Sequence, residues 1–557
     1  MMRSTLLAAL VSAALPTMAL AQTADDLKND EKSTGDVLVY GMGYSGQRYS
    51  PLTQINKQNV GKLVPVWSYS LNDLQGGEGF PIVKDGVIYV TTHNATAAVD
   101  ALTGKPIWRV VHEYPPDALK VVCCGIVNRG GALFDGKLYR TTLDANVIAL
   151  DIANGKELWR QKAADIKEGY SMTVAPLVAD GVVLTGISGA EFGTRGFIDG
   201  WDPATGKHLW RTHTIPSPDE PGGDTWKGDT WKLGGGSTWI TGSYDPELNT
   251  VYWGIGNPGP FNSAVRPGDN LYTCAVLALE PKTGKIKWHY QFSPNNPFDY
   301  DSVAEMVLAD LNVEGKPTKV LMDANRNGFF YVLDRTNGKL LAANPYVKVN
   351  WATGIDLKTG RPIETDVSKD ARDGKKVVVY PSILGGKNWE PMSFNPQTGL
   401  AYANTLAFGG HYKTEPATYK AGEWYLGMDL TDLWDWPEGD APRGHLKAID
   451  PMTGKTKWEA PSAIPRFSGV MSTAGGVVFS GQLTGEFEAF DADSGKKLWS
   501  FQTGSGIEGQ PVTWQQDGVQ YVAVSSGYGG VYSLFSGDER LAKVPTGGSL
   551  WVFAVKN

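Results

Sequence analysis

Cysteine is scarce in this chain, three residues in 557, which excludes a disulfide-stapled scaffold. Charge is sparse too. Lys, Arg, Asp and Glu make up 20% of the residues and the formal net charge is −8. That mildly acidic balance argues against nucleic acid or an anionic membrane as the main partner and would suit a basic protein. After the N-terminal stretch no segment stays apolar for the roughly 20 residues that a spanning helix needs, so no membrane span is expected. Two cofactor signatures are also missing. There is no CxxCH to attach a c-type haem, and no GxGxxG opening a βαβ unit, which removes a nicotinamide dehydrogenase. Sustained helical periodicity is absent as well.

The one long apolar stretch lies at the start, MMRSTLLAALVSAALPTMALAQ. Arg3 supplies the positive charge, an apolar run extends from Leu6 to Leu20, and Ala19-Leu20-Ala21 gives a small-x-small cleavage pattern before Gln22. A membrane anchor competes, but Pro16 interrupts the run and it is short for a span. Residues 1–21 are therefore expected to be a cleaved export signal and the mature chain periplasmic. Loss of Arg3 takes the net charge from −8 to about −9.

What the chain has in excess is glycine and tryptophan, 67 and 19 residues. Many glycines imply many tight turns, and many tryptophans imply a large residue recurring in one packing site. A single phrase accounts for both: a small or apolar residue, aspartate, a turn, Gly-Lys, then tryptophan. It reads AVDALTGKPIW (Ala98 to Trp108), ALDIANGKELW (Ala149 to Trp159) and GWDPATGKHLW (Gly200 to Trp210). It returns as ALEPKTGKIKW (Ala278 to Trp288), AIDPMTGKTKW (Ala448 to Trp458) and AFDADSGKKLW (Ala489 to Trp499). Weaker copies, VLDRTNGKLLA (Val332 to Ala342) and SFNPQTGLAYA (Ser393 to Ala403), make eight.

Each copy is a hairpin: Asp or Asn opens the turn, Gly takes the positive-φ position, and short β runs flank it. Another strand pair precedes it, as in GVIYVTTHNATAAVDA (Gly86 to Ala101). Four short strands per unit, repeated radially, make a propeller blade, with the tryptophan packed between neighbours. A β-helix has much shorter repeats. The expected fold is all-β, an eight-bladed β-propeller with tryptophan-docking repeats. It takes up residues 22–557 as one domain, where length alone would suggest three or four.

A propeller does not choose a function, so the site is read separately. A hard cation needs several oxygen ligands, which distant segments can supply. SGAEF offers Glu191, GIGNPGPFN offers Asn257, and PFDYDS offers Asp299 and Asp301, which would share one face of a strand. Each alone reads more readily as an ordinary surface turn residue. Cys123 and Cys124 are adjacent in KVVCCGIVNRGG. Neighbouring Cα atoms are closer than a relaxed disulfide prefers, so free thiols or a bond to Cys274 compete with a vicinal bridge. Trp239, in GGGSTWITGSYDP, lies outside the repeated phrase. It suits either the face of a flat aromatic ligand or the core.

Together with the tryptophan repeat, these segments resemble the quinoprotein alcohol dehydrogenases, which use pyrroloquinoline quinone (PQQ). The resemblance runs from YGMGYSGQRYSPLTQINKQNV (Tyr40 to Val60) to GGSLWVFAV (Gly547 to Val555). It implies an eight-bladed propeller that oxidises primary alcohols, or polyols, to aldehydes or ketones by hydride transfer to the quinone. SGAE, GNPxP and the aspartate after the NPFDY-like stretch match the family's metal positions. Glu191, Asn257 and Asp299 are then the implied ligands and Asp299 the catalytic base. Asp301 stands where calcium-using members carry a small or uncharged residue, and resembles the lanthanide-using members. An added anionic ligand favours a more highly charged ion, so a lanthanide is favoured and Ca2+ is the alternative.

The CC-x4-RG pattern implies a vicinal disulfide, Cys123–Cys124, as a flat platform against one face of the quinone, with Trp239 on the other. Glu78, Arg129, Thr173, Ser188, Gly189, Ala190, Ser237, Arg326, Asn388 and Trp389 match the family's cofactor-binding positions. The haem-free type implies that electrons leave to a separate periplasmic cytochrome c; a homodimer stays open. Two rival readings remain. One is a polyol or sugar dehydrogenase of the same cofactor class, with Trp434 and Trp436 as an aromatic wall at the substrate mouth. The other is a non-catalytic propeller scaffold for outer-membrane assembly, which would need neither the cysteine pair nor the metal ligands.

Overall fold

Short β-rich runs separated by Asp-x-x-Gly turns fold into successive antiparallel strands in the computed structural model, which describes residues 22–556. The expected export signal lies outside the described residues. The first complete sheet shows the pattern: Ile82–Lys84, Val87–Thr91, Ala95–Asp100 and Pro106–Val111, hydrogen-bonded in that order. Its innermost strand is wholly buried and its outermost is largely exposed. Sheets built on the same four-strand plan follow over 131–162, 177–213, 243–291, 307–345, 393–462, 470–502 and 512–555. In the last of these, three strands come from the C-terminal end of the chain. The fourth, Leu63–Ser70, comes from near the N-terminus and pairs with Gly548–Val555, Leu63 opposite Val555 and Ser70 opposite Ser549. Both ends of the chain thus close the ring in one sheet. No helix among the described residues is long and apolar enough to cross a membrane.

The repeated tryptophan joins one sheet to the next. Trp108 donates from Nε1 to the Ile152 carbonyl at 2.8 Å, Trp159 to Pro203 at 3.2 Å, and Trp458 to Ala492 at 2.9 Å. Each ring also lies on the turn glycine of the neighbouring repeat. A Cβ at Gly155 would fall 2.6 Å from Trp108, one at Gly495 would fall 2.4 Å from Trp458, and both glycines have positive φ. Glycine and tryptophan of the phrase are therefore the two halves of one contact, made between successive repeats. Trp499 carries it to the Leu63 carbonyl at 3.0 Å, and Trp67 to the Ala101 carbonyl at 3.1 Å. The 307–345 sheet, which has Ala342 in place of the tryptophan, uses Asn344, whose Nδ2 donates to the Met452 carbonyl at 3.0 Å.

One expected repeat is not a docking turn. Ser393 to Ala403 is the first hairpin of its sheet, joining Ser393–Asn395 to Leu400–Leu406. The docking turn of that same sheet is Ala448 to Trp458. The missing tryptophan is Trp67, whose strand partners lie at the far end of the chain.

Trp458 is nearly buried, 9% exposed, against Tyr402 and Gly495. Trp458→Ala is expected to lower unfolding free energy by about 3–5 kcal/mol, the range for emptying a large aromatic site. Chemical denaturation against the wild type measures it, and a loss under about 1 kcal/mol would remove the docking role.

Candidate active site

Asp299 and Asp301 are not in a strand. They lie on a loop between Ile286–Gln291 and Val307–Val313, and turn chemistry rather than β alternation brings them together. Asn296 Oδ1 accepts the main-chain N–H of Phe298 (3.0 Å) and of Tyr300 (2.9 Å), and Asp301 N donates to the Asp299 carbonyl at 2.9 Å. Asp299 takes a left-handed φ of 59°. The Tyr300 hydroxyl anchors the loop by donating to the Pro381 carbonyl at 2.7 Å. Both carboxylates consequently meet one guanidinium: Arg326 Nη1 is 3.2 Å from Asp299 Oδ2 and 3.2 Å from Asp301 Oδ2. Arg326 also donates to the Asp299 carbonyl at 2.8 Å.

Asn257 N donates to Asp301 Oδ1 at 2.5 Å. Gly256 permits that approach, since a Cβ there would lie 2.6 Å from the same oxygen. Glu191 stands on the short turn Ala190–Phe192, entered through Gly189 at φ 129°. Its carbonyl accepts Tyr425 N at 2.7 Å, so an outer loop holds this turn down.

The charges do not balance. Burial and the negative charge of Asp301 push the Glu191 carboxyl up to about 7. Burial pushes Asp299 well above the usual carboxylate range and raises Asp301, with Arg326 opposing both shifts. Asp299 Oδ1, Asn257 Oδ1 and the Ser237 hydroxyl are buried without hydrogen-bond partners. Among the described residues no three His, Cys, Asp or Glu side chains form a ready-made metal cluster; Arg326 bridges the two aspartates instead. Three acids against one guanidinium, with orphaned oxygens beside them, fit a hard cation that brings the missing charge and takes up the free oxygens.

These acids edge a concave cavity lined by polar and apolar side chains from distant segments, the kind of site that holds small-molecule cofactors. Cys123 and Cys124 are joined by a disulfide and line it, while Cys274 is buried and free. Arg129 organises the wall formed with Glu78, Thr173, Trp239 and Trp389. It pairs with Glu78 at 2.7 Å, donates to Thr173 Oγ1 at 2.6 Å, and lies over the rings of Trp239 (4.7 Å) and Trp389 (5.3 Å). Thr173 Oγ1 is 3.4 Å from Ser188 Oγ. Asn388 is oriented by donating to the Leu384 carbonyl at 2.9 Å.

Of the residues expected here, Glu78, Cys123, Cys124, Arg129, Thr173, Ser188, Gly189, Glu191, Trp239, Asp299, Asp301, Arg326, Asn388 and Trp389 line the cavity. Ala190, Ser237 and Asn257 are buried but not in the lining. Trp434 and Trp436 pack on Phe408, at 5.8 and 4.8 Å, and are not lining residues either. Val127, Ser171, Leu384 and Val531 were missed. Ser171 stands two positions before Thr173, and that nearness to a matched position is the signal that could have found it.

The chain is similar to known proteins over most of its length. The sequence model of the PQQ glucose/ethanol/alcohol dehydrogenase β-propeller domain matches residues 38–350 and 362–522. The quinoprotein alcohol dehydrogenase PedH of Pseudomonas putida is 42% identical over 576 residues, spanning 98% of this chain and 96% of that protein. The quinoprotein ethanol dehydrogenase of Pseudomonas aeruginosa is 44% identical, spanning 95% and 92%. The lanthanide-dependent methanol dehydrogenase of Methylacidiphilum fumariolicum is 41% identical, spanning 93% and 89%. Among solved structures, a europium-containing methanol dehydrogenase superposes with a TM-score of 0.91 at 38% identity, covering 95% of this chain and all of that one.

Proposed function

This chain belongs to the PQQ-dependent alcohol dehydrogenases, and we propose that it works with Asp299 as base beside a metal ion held by Glu191, Asn257, Asp299 and Asp301. It is an alcohol-oxidising enzyme of that class. The observation that carries the site assignment is the buried acid group, with its unbalanced charge and partnerless Asp299 and Asn257 oxygens, at the edge of a cavity lined by the disulfide. When bound, the quinone accepts the hydride lost from the alcohol carbon and the metal ion supplies Lewis acidity beside it.

The protein's own groups do the rest. Asp299 takes the hydroxyl proton. Arg326 fixes its orientation by holding both its side chain and its carbonyl, and lends positive charge that favours the ionised base. Arg129 offers a cation to the carboxylates of the quinone. The Cys123–Cys124 disulfide and Trp239 line the cavity and would shield a bound quinone from water.

A lanthanide is the favoured ion, because Asp301 adds a third carboxylate; two similar proteins are named for a lanthanide. Calcium is the alternative, since an all-oxygen donor set suits both. Apolar lining from Val127, Leu384 and Val531 supports a simple alcohol over a polyol. The scaffold reading has no use for the disulfide or the acid group. Electrons pass to a separate cytochrome c in the periplasm.

Purified apoprotein reconstituted with PQQ and either calcium or a light lanthanide tests this, with dye-linked oxidation of primary alcohols and polyols as the readout. Turnover of primary alcohols, faster with the lanthanide, is the expected result. No turnover with either metal would overturn the reading.

A further inference from the structure

Two buried carboxylates stand by Arg129, and only one of them lines the cavity. Glu78 pairs with Arg129, Nη2 to Oε2, at 2.7 Å. Glu508 is the other. It is 1% exposed, and its Oε2 has no hydrogen-bond partner. Glycine backbones wrap it: a Cβ at Gly76 would lie 2.6 Å from Oε2, and one at Gly530 would lie 2.5 Å from Oε1. The same two stretches carry Glu78 and Val531, which line the cavity. Glu508 therefore sits behind the cavity wall in a cradle that no larger residue could form.

The charged groups facing Glu508 are Glu78 and Arg129. With both acids ionised, the trio would bury a net negative charge, which is costly in a low-dielectric interior. Burial raises both carboxyls. Arg129 draws Glu78 back, whereas the charge of Glu78 lifts Glu508 further, well above the ordinary carboxylate range. The proton belongs on Glu508.

We propose that Glu508 is a positioning residue: held as a neutral acid behind Glu78 and Arg129, it keeps that wall free of net negative charge so that an anionic carboxylate of the quinone can bind there. The proposal rests on the reading of this cavity as the quinone site. A carboxyl whose folded value is raised stays neutral at low pH and ionises as pH rises through that value. Quinone affinity is then full at low pH and falls as Glu508 charges.

The test is titration of PQQ into the protein with calcium present, followed by quenching of tryptophan fluorescence, from acidic pH to the alkaline limit at which the protein stays folded. Wild type is expected to lose on the order of tenfold in affinity across that range. Glu508→Gln, equal in size and uncharged, is expected to match wild type at the low end and to change little. Equal losses in the two proteins, or a flat wild-type profile, would overturn the proposal. If Glu508→Gln does not fold, Glu508→Met takes its place under the same criteria. Absence of binding by wild type at every pH would overturn the quinone site itself.

Discussion

Asp299→Asn is expected to lower kcat for alcohol oxidation by roughly 10²–10⁴-fold, the usual contribution of a positioned general base. Asparagine keeps the size and one carbonyl oxygen, so Arg326 retains an acceptor where Asp299 Oδ2 now stands. The carbonyl that accepts from Arg326 and the one-residue turn around Tyr300 are main-chain features and should persist. What disappears is the group able to hold the hydroxyl proton. Because Asp299 is also a proposed ligand, bound metal and bound quinone are measured alongside turnover, with metal in excess. A variant fully loaded with both yet turning over within about tenfold of wild type would remove Asp299 from the role of base.

The second large effect is expected at Asp301. Its carboxylate is 3.2 Å from Arg326 Nη1, and its Oδ1 accepts Asn257 N at 2.5 Å. Asp301→Ala would strip charge and hydrogen bond together, so Asp301→Asn is the cleaner variant. It keeps an acceptor for Asn257, while removing the charge and turning the oxygen beside Arg326 into an N–H donor. Coulomb attraction scales with ion charge, so loss of one anion costs a trivalent ion about half as much again as a divalent one. Lanthanide affinity of Asp301→Asn is expected to fall by about 100-fold or more, with calcium affinity falling less. The ratio of lanthanide- to calcium-supported turnover should fall with it. Competition titration with a luminescent lanthanide measures the first quantity, and reconstituted activity the second. An unchanged ratio would sink the lanthanide preference while leaving the enzyme class intact.

Legibility of the site in the sequence followed the range of the interactions involved. The SGAE turn, the adjacent cysteines and the paired aspartates are short segments that a family pattern can match, although their residue types alone favour surface turns and free thiols. Their surroundings are not. Val127, Leu384 and Val531 are ordinary apolar residues in sequence and become cavity wall only because three distant segments meet there. Glu508 sits among turn glycines in GSGIEGQ and would pass for a surface charge. Only the packing of Gly76 and Gly530 around it shows that it is buried. The strand expected for Asp299 and Asp301 failed for a local reason. Asn296 offers its side chain to two main-chain N–H groups, and that turn competes with β pairing.

By itself the sequence determined the repeated unit. The Asp-turn-Gly hairpin and its tryptophan are set by backbone sterics and turn chemistry within about ten residues, and their repetition implies a propeller. Only the tertiary structure decided how the ring closes and which residues meet at its site. Leu63 pairs with Val555, Trp67 rather than the Ser393 hairpin completes the docking series, and Arg326 draws Asp299 and Asp301 together. Such contacts join segments far apart along the chain. They form because burial of apolar surface pulls whole sheets together, and no local pattern records which distant partners that packing will choose.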